Sequence, residues 1–244
     1  VLAFVITQSF ERLAQASRLK SEFINIVSHQ LRSPITNIKW VTEFLISPDI
    51  EVSPEKKADY FKQLEENIGL MVELVDDLLV ISKIEEGLFP INKREASLSD
   101  IIKNLVNGAM PYAQASGLEL KFNEPKNLLK ASFDASMIKL VVENLIDNAI
   151  RYTRKGGKIE IWLKKENEKL VFKIKDQGVG IPFSDQGYMF QKFFRSSNAL
   201  KEQTKGSGLG LYIAKLIITK SGGKIWFESE EGEGATFYFS IPVK

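Results

Sequence analysis

Apolar residues repeat every three or four positions in two stretches of the first third of the chain, and serine-proline punctuation separates the two. The second stretch is the more regular: Phe61, Leu64, Ile68, Met71, Val75 and Leu78 step three, four, three, four, three. The first carries Ile24, Val27, Leu31, Ile38, Val41 and Leu45, steps of three and four with one of seven. Such spacing returns to one face of an α-helix. One long helix is expected from Thr7 to Ile46, with Phe10 and Leu13 continuing its stripe. Ser47-Pro48-Asp49 breaks it, and Ser53-Pro54-Glu55 starts the next with a cap and a first-turn proline. Two helices sharing so narrow a seam bury too little to stand alone. Dimerisation of the hairpin into a four-helix bundle is the natural remedy, and packing of the stripes on the remainder of the chain is the other.

His29, the only histidine among 244 residues, lies off that stripe. At about 100° per residue it points roughly 200° away from Val27 and Leu31, toward solvent. An exposed imidazole keeps a free lone pair near neutral pH. Pro34 removes a backbone donor and crowds the carbonyl of Gln30, so a kink is expected one turn beyond the histidine. On this ground alone, His29 reads first as a solvated surface residue.

Composition narrows the remainder. The formal net charge is +2, with no basic block to ask for nucleic acid. Cysteine is absent, which removes disulfides, thiol catalysis and cysteine metal sites and suits a reducing, cytoplasmic compartment. Val1 to Ile6 is apolar but far short of the ~20 residues that span a bilayer. It reads as the stub of an upstream membrane or sensor segment, or as the first turn of a long helix; the start at Val1 favours a fragment.

The composition changes at Glu86-Gly87-Leu88-Phe89-Pro90, taken as the interdomain joint. The expected divisions are 1–19 as a signalling helix or stub, 20–87 as the hairpin, 88–96 as a linker and 97–244 as a second domain. In that domain Ser97 or Ser99 can cap a helix to about Ser116, ended by Gly117. Strands are expected at Leu118 to Phe122, Leu128 to Phe133, Lys158 to Lys165, Leu170 to Lys175, Lys224 to Ser229 and Ala235 to Pro242. Helices are expected from an Asp134 cap through Arg151 and from Gly208 to Ser221. Interleaving without a regular βαβ repeat points to an α/β sandwich with a mixed sheet and helices on one face.

Four segments of this domain can carry chemistry. Asn144 and Asn148 share a helix face, with Arg151 and Tyr152 close behind; amide oxygens suit a hard cation that also holds phosphate. Asp176-Gln177-Gly178-Val179-Gly180-Ile181 follows a strand, where a carboxylate can accept from an exocyclic amine and the glycines admit close approach. Gly206-Ser207-Gly208-Leu209-Gly210-Leu211 precedes a helix whose N-terminal amides favour phosphate. It is neither a Rossmann fingerprint, since Leu211 takes the final glycine position, nor a P-loop. Between these glycine loops, Phe190-Gln191-Lys192-Phe193-Phe194-Arg195 sits in a segment from Ser184 to Lys205 without clear periodicity, which suggests a lid.

In this order the segments resemble those of the sensor histidine kinases of two-component signalling. Residues 23–35 look like the H-box, 140–153 the N-box, 176–181 the G1 box, 190–195 the F-box and 206–211 the G2 box, a likeness covering the chain from about Leu19. The resemblance implies a dimerisation and histidine-phosphotransfer hairpin followed by a Bergerat-type ATP-binding domain. It implies His29 as phospho-acceptor, Asn148 as Mg2+ ligand and Asp176 as the adenine-recognising carboxylate beside Gly178 and Gly180. Asn144, Arg151 and Tyr152 would line the ATP pocket, Lys192 and Arg195 would meet the γ-phosphate, and Gly206, Gly208, Gly210 and Leu211 would form the phosphate-side hinge. Gyrase-like relatives carry a water-activating glutamate where Asn144 stands; an amide cannot deprotonate water, which favours transfer over hydrolysis. The implied partners are a second copy, a response-regulator receiver domain, and an upstream sensor that anchors the full-length protein in a membrane.

Two positions depart from the family pattern. Gln30 replaces the usual acidic residue after the histidine, and an amide has no useful basicity. Ser33 stands where threonine or asparagine usually positions a water for dephosphorylating the regulator; its hydroxyl keeps that activity open. The alternative reading is therefore a nucleotide-binding signalling scaffold or regulator phosphatase with weak autokinase.

Overall fold

A computed structural model describes residues 2–47, 52–87, 92–124, 130–202 and 206–243, without the side chains of 2–7, 9–20, 22, 201 and 202. The Pro48-Asp49 break, the Leu88-Phe89-Pro90 part of the joint, the start of the Leu128 strand, Lys205 and the stripe residues Phe10 and Leu13 lie outside the described residues. Packing divides the chain into two units, 1–75 and 76–244, so the last ten residues of the second helix group with the C-terminal fold, and the division does not coincide with the compositional change near residue 87.

The first unit is the expected hairpin. Helix α1 spans Leu2–Ile46 and runs through Pro34, whose ring is buried; α2 spans Pro54–Glu85. Ser53 caps α2 by accepting a hydrogen bond from Lys56 N at 3.4 Å. Across the hairpin, Phe44 and Tyr60 pack at 5.1 Å, and Asn37 Nδ2 donates to Asn67 Oδ1 at 3.4 Å. The stripe read on α2 divides in the structure. Leu64 and Met71 are half-buried and Leu74 is buried, whereas Phe61, Ile68, Val72 and Val75 remain 46–62% exposed. α2 thus has one apolar edge that is covered and leaves a second uncovered within one chain. That uncovered edge is large for an isolated hairpin.

The second unit is an α/β sandwich. Its strands are β1 (Arg94–Ser97), β2 (Glu119–Asn123), β3 (Lys130–Phe133), β4 (Lys158–Glu166), β5 (Lys169–Asp176), β6 (Lys224–Glu230) and β7 (Gly234–Pro242). The main sheet has the order β2-β4-β5-β7-β6, parallel only between β2 and β4. Helices α3 (Leu98–Ala115), α4 (Ala135–Tyr152) and α7 (Gly210–Lys220) pack beside one another on one face, and the short α5 (Phe183–Gln186) and α6 (Ser197–Glu202) lie between β5 and α7 in the chain. Strand β1 falls in the stretch read as linker and pairs antiparallel with β3, Ala96 opposite Ala131. Four residues with only one apolar side chain give no period to detect.

Strand alternation explains the core. Leu170, Phe172 and Ile174 of β5 turn toward the helices while Val171, Lys173 and Lys175 turn away. Phe172 stacks on Phe239 of β7 at 4.8 Å, beneath Ile138, Val142, Leu145 and Ile146 of α4 and Ile213 and Ile217 of α7, all at most 2% exposed. Each such side chain contributes about 1.5–3 kcal/mol by leaving water. The opposite face of α4 is thereby free to be polar. Ser97 is the cap of α3, and Asp134 caps α4: its Oδ1 accepts from Ser136 N at 3.1 Å and Met137 N at 3.2 Å, and its Oδ2 accepts from Asn92 N at 2.9 Å. Asp134→Ala should lower the stability of the second unit by about 1–2 kcal/mol, the usual cost of losing such a cap, measured by urea unfolding followed through tryptophan fluorescence.

Candidate nucleotide site

The polar side of α4, the end of β5 and the two glycine loops converge within the second unit. Asp176 ends β5, and its carboxylate is buried, only 6% exposed. Oδ1 accepts hydrogen bonds from Gly178 N at 2.9 Å and from Ala235 N at 3.2 Å. Burial pushes its pKa up to about 6, although these amide donors favour the charged form and pull the other way. A carboxylate desolvated to this degree and poised near neutrality is typical of a ligand-binding position.

The loop after Asp176 allows no side chains where the glycines stand. A Cβ on Gly178 would strike the Tyr152 carbonyl, and Gly180, at φ +64°, faces the Glu230 carbonyl at a contact distance no Cβ can occupy. Val179 N donates to Tyr152 O at 3.2 Å and Gly232 N to Val179 O at 2.8 Å, so the loop is stitched to the end of α4 and to the β6–β7 turn. Three further side chains hold it. Asn198 Nδ2 donates to Val179 O and Gly180 O at 3.1 and 2.8 Å, Gln186 Nε2 to Ile181 O at 3.1 Å, and Ser229 Oγ accepts from Ile181 N at 2.9 Å. Sequence reasoning does not reach Asn198 and Gln186, which sit in the unperiodic segment, or Ser229, which reads as an ordinary strand residue.

The second glycine loop meets α4 and the segment around Lys192. Asn144 Nδ2 donates to Gly210 O at 3.4 Å. A Cβ on Gly206 would come 2.8 Å from Arg151 Nη1 and 4.0 Å from Arg195 Cζ, which places both guanidiniums against this loop. One on Gly208 would meet the Phe193 backbone at 2.8 Å, and Phe193 itself is left-handed, at φ +63°. Asn144, Arg151, Arg195, Gly206, Gly208 and Gly210 are therefore brought together. Asn148 and Tyr152, on the same helix side, are half-buried, as is Leu211 in the first turn of α7. No side chain caps the N-terminus of α7. The segment from Ser184, which shows no period in the sequence, holds α5 and α6, joined where Asp185 accepts from Ser197 N at 2.8 Å.

Lys192 reaches toward the end of α2: its Nζ is 2.8 Å from Glu85 Oε1 and 5.1 Å from the Tyr212 ring centroid. His29, Gln30 and Ser33 belong to the first unit, where all three are exposed on α1, and the Ser28 hydroxyl donates to Ile24 O at 2.8 Å. Among the described residues no cluster of three or more His, Asp or Glu could hold a metal alone, and no helix is long and apolar enough to cross a membrane.

Asp176 has a testable thermodynamic signature. Its folded pKa, about 6, lies above the ordinary 3.8, so its protonated form stabilises the fold below pH 3.8, and that contribution is lost as pH rises toward 6. Relative to Asp176→Asn, the wild type should lose about 2–3 kcal/mol between pH 4 and 6.5, read from urea midpoints across that window. A difference independent of pH would show that the carboxyl titrates normally.

Two families of known proteins match the chain. Residues 19–87 match the family described as His Kinase A (phospho-acceptor) domain, and residues 133–244 the family described as Histidine kinase-, DNA gyrase B-, and HSP90-like ATPase. The alginate biosynthesis sensor protein KinB of Pseudomonas aeruginosa is 30% identical over 226 residues, 93% of this chain and 37% of KinB. The chain thus spans little more than a third of that relative. The solved catalytic domain of the histidine kinase ThkA is 31% identical and aligns with 62% of this chain and 96% of its own, at a TM-score of 0.54. ThkA in complex with the response regulator protein TrrA aligns over 96% of this chain and 64% of its own, at 25% identity and a TM-score of 0.70. A phospho-acceptor hairpin followed by this ATPase fold, with such relatives, makes the chain a member of the histidine kinase family.

Proposed function

We propose that the protein is an ATP-dependent histidine kinase that phosphorylates His29 and passes the phosphoryl group to an aspartate of a response-regulator receiver domain. The observation that carries this reading is the convergence of Asn144, Arg151, Arg195 and the Gly206–Gly210 loop, beside the buried Asp176, in one unit of a chain whose other unit exposes His29.

Asp176 in its ionised form accepts from the adenine amine, while Gly178 and Gly180 let the loop that follows it pack against the Tyr152 and Glu230 carbonyls. Arg151, Arg195 and Lys192 neutralise phosphate oxygens, and the amides at the start of α7 add to this. Asn148 fits Mg2+ as a single amide-oxygen ligand, the usual economy where phosphates complete the shell. Bound there, the ion would screen charge on the β- and γ-phosphates. The His29 lone pair attacks the γ-phosphorus in line as the bond to ADP breaks, and the imidazole then sheds a proton. Gln30 can orient the ring but cannot take that proton. Asn144 supplies no base for water, which supports transfer over hydrolysis. The uncovered apolar edge of α2 supports a homodimer, and the exposed Ser33 hydroxyl supports a regulator phosphatase activity.

Incubation with γ-labelled ATP and Mg2+ should give an acid-labile phosphoprotein, and His29→Ala should abolish the label; label that survives this change refutes the assignment. The exposed amide of Gln30 favours a second reading, a nucleotide-binding scaffold or phosphatase with little autokinase. Gln30→Glu separates the two, with initial labelling expected to rise about 10-fold to 100-fold if a missing base limits the reaction.

A further inference from the structure

The last turns of α2 are tethered to the second glycine loop, to α7 and to the segment around Lys192. Asp77 Oδ2 accepts from the Ser207 hydroxyl at 2.8 Å, inside the second glycine loop. Ile84 O accepts from Lys220 Nζ at 3.3 Å. Glu85 Oε1 accepts twice, from Lys192 Nζ at 2.8 Å and from the Tyr212 hydroxyl at 2.7 Å. Tyr212 belongs to the first turn of α7, directly after the glycine loop, and its ring lies under the same ammonium, 5.1 Å from the centroid. One carboxylate oxygen is thus held by a cation of the candidate lid and by a donor from the helix whose N-terminus faces the phosphate side.

Those two donors are what an anionic oxygen of a nucleotide would need. Burial alone would raise the pKa of Glu85, yet the hydrogen bonds from Lys192 and Tyr212 and the lysine charge hold it below the usual carboxylate range, so it is an anion at neutral pH. Lys192 and Glu85 are each partly exposed, 29% and 42%, so the pair is weak enough to exchange. A terminal phosphate carries more charge than a carboxylate and outcompetes it for an ammonium.

We propose that Glu85 is a positioning residue for Lys192: it holds that ammonium until the γ-phosphate of ATP takes it over, an exchange that releases one tether of the end of α2. The inference rests on the nucleotide reading of Lys192 given above. ADP lacks the group that competes, so the exchange makes the protein discriminate between the two nucleotides according to the charge at position 85.

Binding of ATP and ADP, each with Mg2+, is measured by calorimetry on the full chain, as wild type, Glu85→Gln, Lys192→Met and the double variant. Glutamine keeps size and hydrogen bonding but removes the charge. Glu85→Gln should tighten ATP about threefold to tenfold and leave ADP within about twofold. In the Lys192→Met background the same change should have no effect on either nucleotide. Equal shifts for ATP and ADP, no shift for ATP, or a shift that persists without Lys192 would each overturn the proposal while leaving the kinase reading in place. Failure of the wild type to bind either nucleotide would instead remove that reading and the proposal with it.

Discussion

The buried carboxylate of Asp176 is the interaction on which the nucleotide unit turns. Desolvating it is unfavourable, and the amides of Gly178 and Ala235 compensate only in part, so its pKa stays near 6. Those two donors come from the loop after β5 and from the start of β7, so one side chain joins the middle of the sheet to its far hairpin. The glycines are consequences of that closure. With Asp176 withdrawn into the sheet, the chain must pass against the Tyr152 and Glu230 carbonyls at distances that admit no Cβ.

From that fixed end, α4 and the second glycine loop are brought together by longer-range contacts. α4 brings Asn144 and Arg151 because its apolar side is committed to the sheet, and the second glycine loop fits against both. The segment between the loops is ordered locally by Asp185 and Asn198, which bind backbone more than they bind each other. Polar side chains of this kind satisfy backbone groups that no strand or helix would pair. The same region carries Lys192 to a carboxylate of α2, so a cation suited to phosphate has an intramolecular partner.

The hairpin obeys a different constraint. A two-helix unit has little interior, and α2 carries adjacent apolar edges, one covered and one left uncovered. His29, Gln30 and Ser33 sit outside these edges. All three are exposed on α1, which contributes none of them to the covered part of the hairpin.

Much of the fold and of the candidate site is legible in the residues alone. Helical periods locate α1, α2 and α4, alternation locates β4, β5, β6 and β7, and Ser53, Asp134 and Gly117 mark ends where the backbone needs a cap or a positive φ. Asn144, Arg151, Asp176, Arg195 and the glycines stand out because each residue type has a specific use beside a phosphate or a base. Periodicity cannot reveal β1, a short strand stabilised by its partner, nor divide the α2 stripe into two edges, since residues three and four apart look alike until a neighbour covers one of them. Nor can it show Asn198, Gln186, Ser229 or the Glu85–Lys192–Tyr212 contact. Sequence by itself determined the local structure and the kinds of side chain available, because hydrogen-bonding period and chemical identity are properties of nearby residues. Tertiary structure alone decided which donor meets which acceptor between positions as distant in the chain as Asp77 and Ser207 or Glu85 and Tyr212, because those pairings depend on how the sheet and helices close on one another.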